Sequence, residues 1–280
     1  MPELPEVETT VRCMQSEFLG YKICNAKFYR KNLRDPMPIS RIKKESIGKH
    51  MDEITRRGKY ILIHTGDQSL VLHLGMTGNV LSLDSKTPAQ KHTHFVLELE
   101  HPKTKKIKYM HYVDPRRFGR LDLLSKDSWQ DHKYFSAMGP EPLDIRALGK
   151  HLYDRSTGKK TTLKSFVMDQ RTVVGVGNIY ACEALFLTGL HPTTPAGEVS
   201  IEDYGLLAKN IKLVLRRAIK QGGTSFRDFK HLDGKAGGYF RIKLNVYDRQ
   251  GEDCKQCESA IENLVIAGRS SFYCPSCQET

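Results

Sequence analysis

The first twenty residues read MPELPEVETTVRCMQSEFLG (1–20), with two prolines and three glutamates among the first eight. Proline fits the first turn of a helix, and carboxylates complement the positive end of the helix dipole. Val7, Val11, Met14 and Phe18 then recur at helical spacing, and Gly20 follows as a C-terminal stop. The stretch therefore predicts an amphipathic helix whose body begins near Glu6. A second reading concerns chemistry. If Met1 is removed, Pro2 becomes a free secondary amine with Glu3 beside it. These residues alone leave both readings open.

The totals narrow the class. A chain of 280 residues can bury one or two substantial cores, and its 39% hydrophobic and 27% charged content is that of a globular protein. No apolar run is long enough to span a bilayer, and the acidic start is unlike a secretory leader, so an intracellular protein is expected. Lys and Arg number 44 against 32 Asp and Glu, a net charge of +12. Such a balance suits a polyanionic partner, because each neutralised phosphate releases condensed counterions. Seven cysteines, an odd count, argue against a disulfide framework.

Outward from the first helix the pattern turns to short strands. KYILIHTG (59–66), SLVLHLGMTG (69–78), HFVLELE (94–100) and KIKYMHYVDP (106–115) are the clearest, rich in β-branched and aromatic residues and evenly spaced. They predict a β-sandwich or barrel. GPEPLD (139–144) reads as a linker. Beyond it the period becomes helical in LKSFVMDQ (163–170), IYACEALF (179–186) and from Ser200 to Lys220. In the last, Ser200 caps with Asp203 three residues on, and Leu207, Ile211, Val214 and Ala218 form one apolar face. QGGTSFRDFKHLDGKAGGYF (221–240) is a glycine-rich, basic, flexible loop by composition. The plan is a β domain, a helical domain and a small metal module.

Three motifs carry chemistry. Cys254-x2-Cys257-x16-Cys274-x2-Cys277 has the spacing of a closed tetrahedral zinc site, with a spacer long enough for a β-hairpin. Arg269, inside that spacer, reads equally as a phosphate probe and as a solvated surface residue. VVGVGNIYACEALF (173–186) sets Gly175 and Gly177 before a helix opening at Asn178, a geometry that suits phosphate. It matches neither a Walker loop nor a full dinucleotide fingerprint. Finally, Met76 in LGMTG (74–78) and Arg116 and Phe118 in HYVDPRRFGR (111–120) sit on turns. Turn-borne Met, Arg and Phe are groups that wedge into a base stack, although packing beneath the turn is the commoner fate of the apolar two.

Taken in order, MPELPEVETT, RRGKY, LGMTG, DPRRFG, GPEPL, VVGVGNIYACEALF, QGGTS and GRSSFYCPSCQ closely resemble bacterial formamidopyrimidine-DNA glycosylases of the Fpg/Nei family, over essentially the whole chain. The resemblance implies an α+β multidomain fold: an N-terminal β-sandwich with an N-terminal helix, a helix–two-turn–helix domain and a C-terminal zinc-finger β-hairpin. With the linker, the boundaries fall at 1–138, 139–145, 146–240 and 241–280. It implies excision of oxidised purines, such as 8-oxoguanine and formamidopyrimidines, from damaged double-stranded DNA in base excision repair. Strand cleavage by β,δ-elimination follows. A monomer holding one structural Zn2+ is expected, in the cytoplasm and at the nucleoid if the source is bacterial.

Matched position by position, the resemblance makes Pro2 the nucleophile, Glu3 the acid that opens the sugar, and Glu6 a supporting carboxylate. Lys59 assists β-elimination and Arg269 δ-elimination. His73, His92, Lys160 and Asn178 bind backbone phosphates, and Met76, Arg116 and Phe118 fill the void left by the extruded base. Cys254, Cys257, Cys274 and Cys277 hold the zinc. The chemistry suits these groups: an α-amine has a pKa of about 7.7–8.0, so a useful fraction is neutral and nucleophilic. Two other readings compete with this one. An oxidised-pyrimidine specificity is disfavoured by PELPEVE in place of a PEGPE-type start, and a non-catalytic zinc DNA-binding module by Pro2, Glu3 and Lys59 standing together. One motif departs from the family: DGKAGGYF (233–240) stands where DGKPGYF is usual, so lesion preference is the part of the likeness it puts in doubt.

Overall fold

The structure is a computed structural model that describes residues 2–222 and 244–279; the glycine-rich loop and its DGKAGGYF motif lie outside the described residues. Two compact units result, one built on the residues through Ser136 and the other on Ala137–Gln221 with the C-terminal segment.

The first unit opens with helix α1 (Leu4–Phe18), which starts two residues earlier than the spacing predicts. The reason is local. Glu3 is the N-cap and Glu6 the N3 residue of a reciprocal capping box, in which Glu6 Oε2 accepts the Glu3 N–H at 2.9 Å. Pro5 is tolerated because first-turn amides need no intrahelical partner. Val7, Val11, Met14 and Phe18 face inward as the spacing requires.

Two antiparallel four-stranded sheets follow. One has the order β1-β6-β7-β5, from β1 (Lys22–Phe28), β5 (Asn79–Leu83), β6 (Thr93–Glu100) and β7 (Ile107–Val113). The other has the order β2-β3-β4-β8, from β2 (Glu53–Arg57), β3 (Tyr60–Thr65), β4 (Gln68–His73) and β8 (Arg120–Ser125). Their facing side chains, among them Ile23, Leu97 and Met110 from the first and Ile61, Leu72 and Leu123 from the second, fuse with the α1 face into one core. A short helix α2 (Ile39–Ser46) adds Ile42 to it. This is a sandwich, which decides between the two β architectures the sequence allows.

In the second unit, α3 (Leu148–Ser156) and α5 (Asn178–Thr188) both pack on α6 (Ile201–Lys220), with α4 (Leu163–Met168) against α5. Every α5 residue from Ile179 to Phe186 is buried, so that helix has no solvated face. Ser200 caps α6 by accepting the Asp203 N–H at 3.0 Å. The hairpin of β9 (Glu262–Ile266) and β10 (Arg269–Tyr273) closes the chain, and β10 rests on α5. Among the described residues no helix is long and apolar enough to cross a membrane.

Candidate active site and DNA-binding surface

In the first unit, Pro2 is buried, and Glu3 and Glu6 are 1% and 3% exposed. Two carboxylates so thoroughly enclosed require hydrogen-bond partners, and the capping box supplies some of them. Lys59 is half-buried and lies in the turn between β2 and β3, just before the strand it was expected to start. Gly58, at φ 56°, makes that two-residue turn possible. Helix and turn are joined through Arg56. Its Nε donates to Glu8 Oε2 at 2.9 Å and its Nη1 to the Gly58 carbonyl at 2.9 Å. Burial works to raise the Glu8 pKa, but the guanidiniums of Arg56 and Arg12 outweigh it and hold the carboxyl below its usual range.

His73 pairs across the sheet with Tyr60, ring centroids 4.7 Å apart, and its Nδ1 accepts the Gly75 N–H at 3.0 Å. Burial, reinforced by the charges of Lys59, Arg120 and Arg34, lowers its pKa to about 4. His73 is thus a neutral imidazole whose free N–H is on Nε2, able to donate one hydrogen bond to a phosphate but not to act as a cation. His92 is exposed, at φ 70°, and its carbonyl accepts the Asp114 N–H at 3.0 Å.

Met76 and Phe118 are 38% and 42% exposed, so neither packs beneath its turn. The Arg116 guanidinium lies 4.9 Å over the Phe118 ring, a cation–π contact that pairs two of the predicted wedge residues. Sequence reasoning missed what holds these turns: Asp114, fully enclosed, accepts from Thr77 Oγ1 at 2.6 Å on one side and from the Gly119 N–H at 2.8 Å on the other. Its place in DPRRFG was visible in the sequence, but nothing there signalled burial.

In the second unit, α5 begins at Asn178 with Gly177 as its N-cap, as the glycine pattern predicts. The Asn178 side chain is already engaged, donating through Nδ2 to the Ser270 carbonyl at 2.9 Å. Lys164, only 1% exposed, donates to the same carbonyl at 3.1 Å and to Ser271 Oγ. These contacts fix the start of β10, where Arg269 is exposed just past the Ala267–Gly268 turn. Lys160 is exposed two residues before the Thr162 cap of α4. Lys164 escaped the sequence reading because a lysine in a helix normally signals solvent.

The four predicted cysteines converge, with all Sγ atoms within 4.8 Å of one another. Cys257 stands 3.4 Å from both Cys274 and Cys277, and Cys254 is 3.9 Å from Cys277. Zn–S bonds of about 2.3 Å would set tetrahedral sulfurs roughly 3.8 Å apart, so the donor set fits one structural zinc ion. No ligand position is left open for chemistry. Cys254 and Cys274 share a small core with Cys182 and Phe186 of α5, so the ion also ties the hairpin to the helical domain.

The first unit thus joins an acidic helix start to a lysine-bearing turn and exposes Met76 and Phe118 on further turns, and the second carries a zinc-binding cysteine hairpin, which together define a class of zinc-finger protein. Comparisons with known proteins specify it further. Residues 1–121 match the formamidopyrimidine-DNA glycosylase N-terminal domain, 138–230 its H2TH domain, and 251–280 the zinc finger found in FPG and IleRS. A formamidopyrimidine-DNA glycosylase of Hahella chejuensis is 45% identical over 99% of this chain and 100% of its own length. One from Legionella pneumophila is 41% identical over 99% and 98%. Among solved structures, Lactococcus lactis Fpg with abasic-site DNA superposes with a TM-score of 0.87 at 31% identity, covering 99% of this chain and 100% of that one. The same enzyme with N7-benzyl-Fapy-dG DNA gives 0.87 at 32%, covering 100% of both chains. The chain belongs to the formamidopyrimidine-DNA glycosylase family.

Proposed function

We propose that the chain is a bifunctional DNA glycosylase and AP lyase that excises oxidised purines from double-stranded DNA. Damaged DNA is its partner, and it works as a monomer in the cytoplasm, at the nucleoid if the source is bacterial. The observation that carries the reading is the enclosed Glu3 carboxylate, next to Pro2, on a residue whose backbone N–H is held by Glu6 at the head of α1.

After loss of Met1, the neutral Pro2 nitrogen attacks C1′; Glu3 gives its proton to O4′ as the C1′–O4′ bond opens, and the N-glycosidic bond breaks as the base leaves with the proton that Pro2 sheds. The resulting iminium acidifies the C2′ proton. Its removal, assisted by Lys59, expels the 3′ phosphate, and a second elimination, with Arg269 at the phosphate, expels the 5′ phosphate. Glu6 holds the Glu3 backbone in place. His73, His92, Lys160 and Asn178 contact phosphates; the Asn178 amide carries two N–H donors, so it serves a phosphate besides the Ser270 carbonyl, alongside the backbone amides at the α5 N-terminus. Met76, Arg116 and Phe118 enter the stack to keep the damaged nucleotide extruded. The domain boundaries at 138, 145 and 240 remain part of this proposal.

The test is borohydride trapping on a duplex with one 8-oxoguanine opposite cytosine. A covalent adduct forms with the wild-type chain and is abolished by Pro2→Gly or by a retained Met1. Undiminished trapping in both would reject Pro2 as the nucleophile. An intact preference for oxidised pyrimidines over 8-oxoguanine would reject the substrate class.

A further inference from the structure

The side chains proposed to enter the base stack stand on two separate turns, residues 74–78 and 115–119. A wedge does its task only if it resists being pushed back, because unstacking a base step costs on the order of a few kcal/mol. Two independent, solvent-exposed turns would yield before the DNA did.

They are not independent. Asp114 is 0% exposed and every polar atom it has is used. Oδ1 accepts from Thr77 Oγ1 at 2.6 Å, and Oδ2 accepts from the Gly119 N–H at 2.8 Å and the Tyr112 hydroxyl at 3.3 Å. Its own N–H donates to the His92 carbonyl at 3.0 Å, and its carbonyl accepts from His94 Nε2 at 2.7 Å. Thr77 Oγ1 in turn accepts the Arg116 N–H at 3.3 Å, so the hydroxyl links the second turn back to the first. The backbones also touch: a Cβ added to Gly75 would sit 2.4 Å from the Phe118 carbonyl carbon, and one on Gly119 would sit 1.8 Å from the Tyr112 hydroxyl oxygen. No cation pairs with Asp114 within salt-bridge distance among the described residues. A carboxylate sealed this way is expensive unless each lone pair is met, and it gives geometry in return.

We propose that Asp114 is a positioning residue that clasps the Met76 turn and the Arg116–Phe118 turn into a single two-tipped probe. The inference rests on the reading of Met76, Arg116 and Phe118 as wedge residues. Base extrusion from a duplex depends on the clasp; the chemistry at Pro2 does not.

Thr77→Val removes the hydroxyl at nearly constant volume and is the primary variant, with Asp114→Asn as the stronger one. Single-turnover excision of 8-oxoguanine from a duplex is measured beside borohydride trapping on a single-stranded abasic oligonucleotide, which has no stack to open. Thr77→Val is expected to slow duplex excision about tenfold, the worth of one hydrogen bond to a charged group. Trapping on the abasic strand stays at the wild-type level, and Thr77→Ser restores duplex excision. Equal losses on both substrates would mean a merely structural role and overturn the proposal. Met76→Ala separates the two layers of inference. If it is slow while Thr77→Val is not, the clasp alone is wrong; if Met76→Ala is fully active, the wedge reading falls and the clasp's role falls with it.

Discussion

Arg56 and Glu8 form an ion pair at 2.9 Å in which the guanidinium is only 10% exposed. The same guanidinium donates to the Gly58 carbonyl, so one side chain spans from helix α1 to the turn that carries Lys59. The capping box fixes where Pro2 and Glu3 lie on the helix. Arg56 fixes where that helix lies relative to the lysine turn.

Arg56→Met should therefore separate the two chemical steps. The covalent adduct still forms, because Pro2 and Glu3 keep their helix, while β-elimination slows by about tenfold as the turn loosens. Rapid-quench measurement of base release and of strand nicking on the same substrate checks it. Nicking and release slowed in parallel would count against the arrangement.

His73 predicts a pH dependence of stability. Its pKa is about 4 in the fold against an ordinary 6.5, so between those values the unfolded chain binds more protons. The contribution is fully present above pH 6.5 and is lost as pH falls toward 4. After discounting for partial exposure it is on the order of 2 kcal/mol. Urea titrations at a series of pH values should show this decline, and His73→Gln should flatten it. On the proposed phosphate contacts, in which His73 donates as a neutral group, His73→Gln leaves the salt dependence of DNA affinity unchanged, whereas Lys160→Ala lowers the slope by about one.

The buried Glu183 of α5 accepts the backbone N–H groups of Asn245, Val246 and Tyr247, at 2.9 to 3.1 Å, and the Asn245 amide at 2.8 Å. It anchors to α5 the segment that precedes the zinc hairpin. Glu183→Leu strands these donors and should cost about 3 kcal/mol or more of unfolding free energy. Chemical denaturation of the zinc-loaded protein measures it.

Removing zinc, or Cys254→Ser, should weaken DNA binding while the β-sandwich stays folded, since the two belong to different compact units. Lys164→Met should slow the δ-elimination proposed for Arg269, with trapping unchanged, because it loosens the strand that presents Arg269. Anisotropy with labelled duplex and gel analysis of nicked ends distinguish the two. Full affinity after chelation would mean that the hairpin does not touch DNA.

The strands legible in the sequence, 59–66, 69–78, 94–100 and 106–115, are β3, β4, β6 and β7, the four central strands of the two sheets. Those that went unread, β1, β2, β5 and β8, are the four edges. The division is physical. A central strand pairs on both sides and is apolar enough to announce itself, while an edge such as EITRR (53–57) keeps charges that guard its open hydrogen-bonding side. Helix periodicity, the capping pattern at Ser200, the glycine turn before Asn178 and the cysteine spacing are all local, and so the sequence by itself determined them. Contacts between residues far apart in the chain belong to the tertiary structure. Arg56 reaching Glu8, Lys164 reaching Ser270 and Asp114 reaching Thr77 depend on how sheets and helices pack. No pattern along the chain encodes a carboxylate at 0% exposure. The opening PELPEVE supplied Pro2, Glu3 and Glu6; the fold decided that they would be buried and that their helix would be tied through Arg56 to the Lys59 turn.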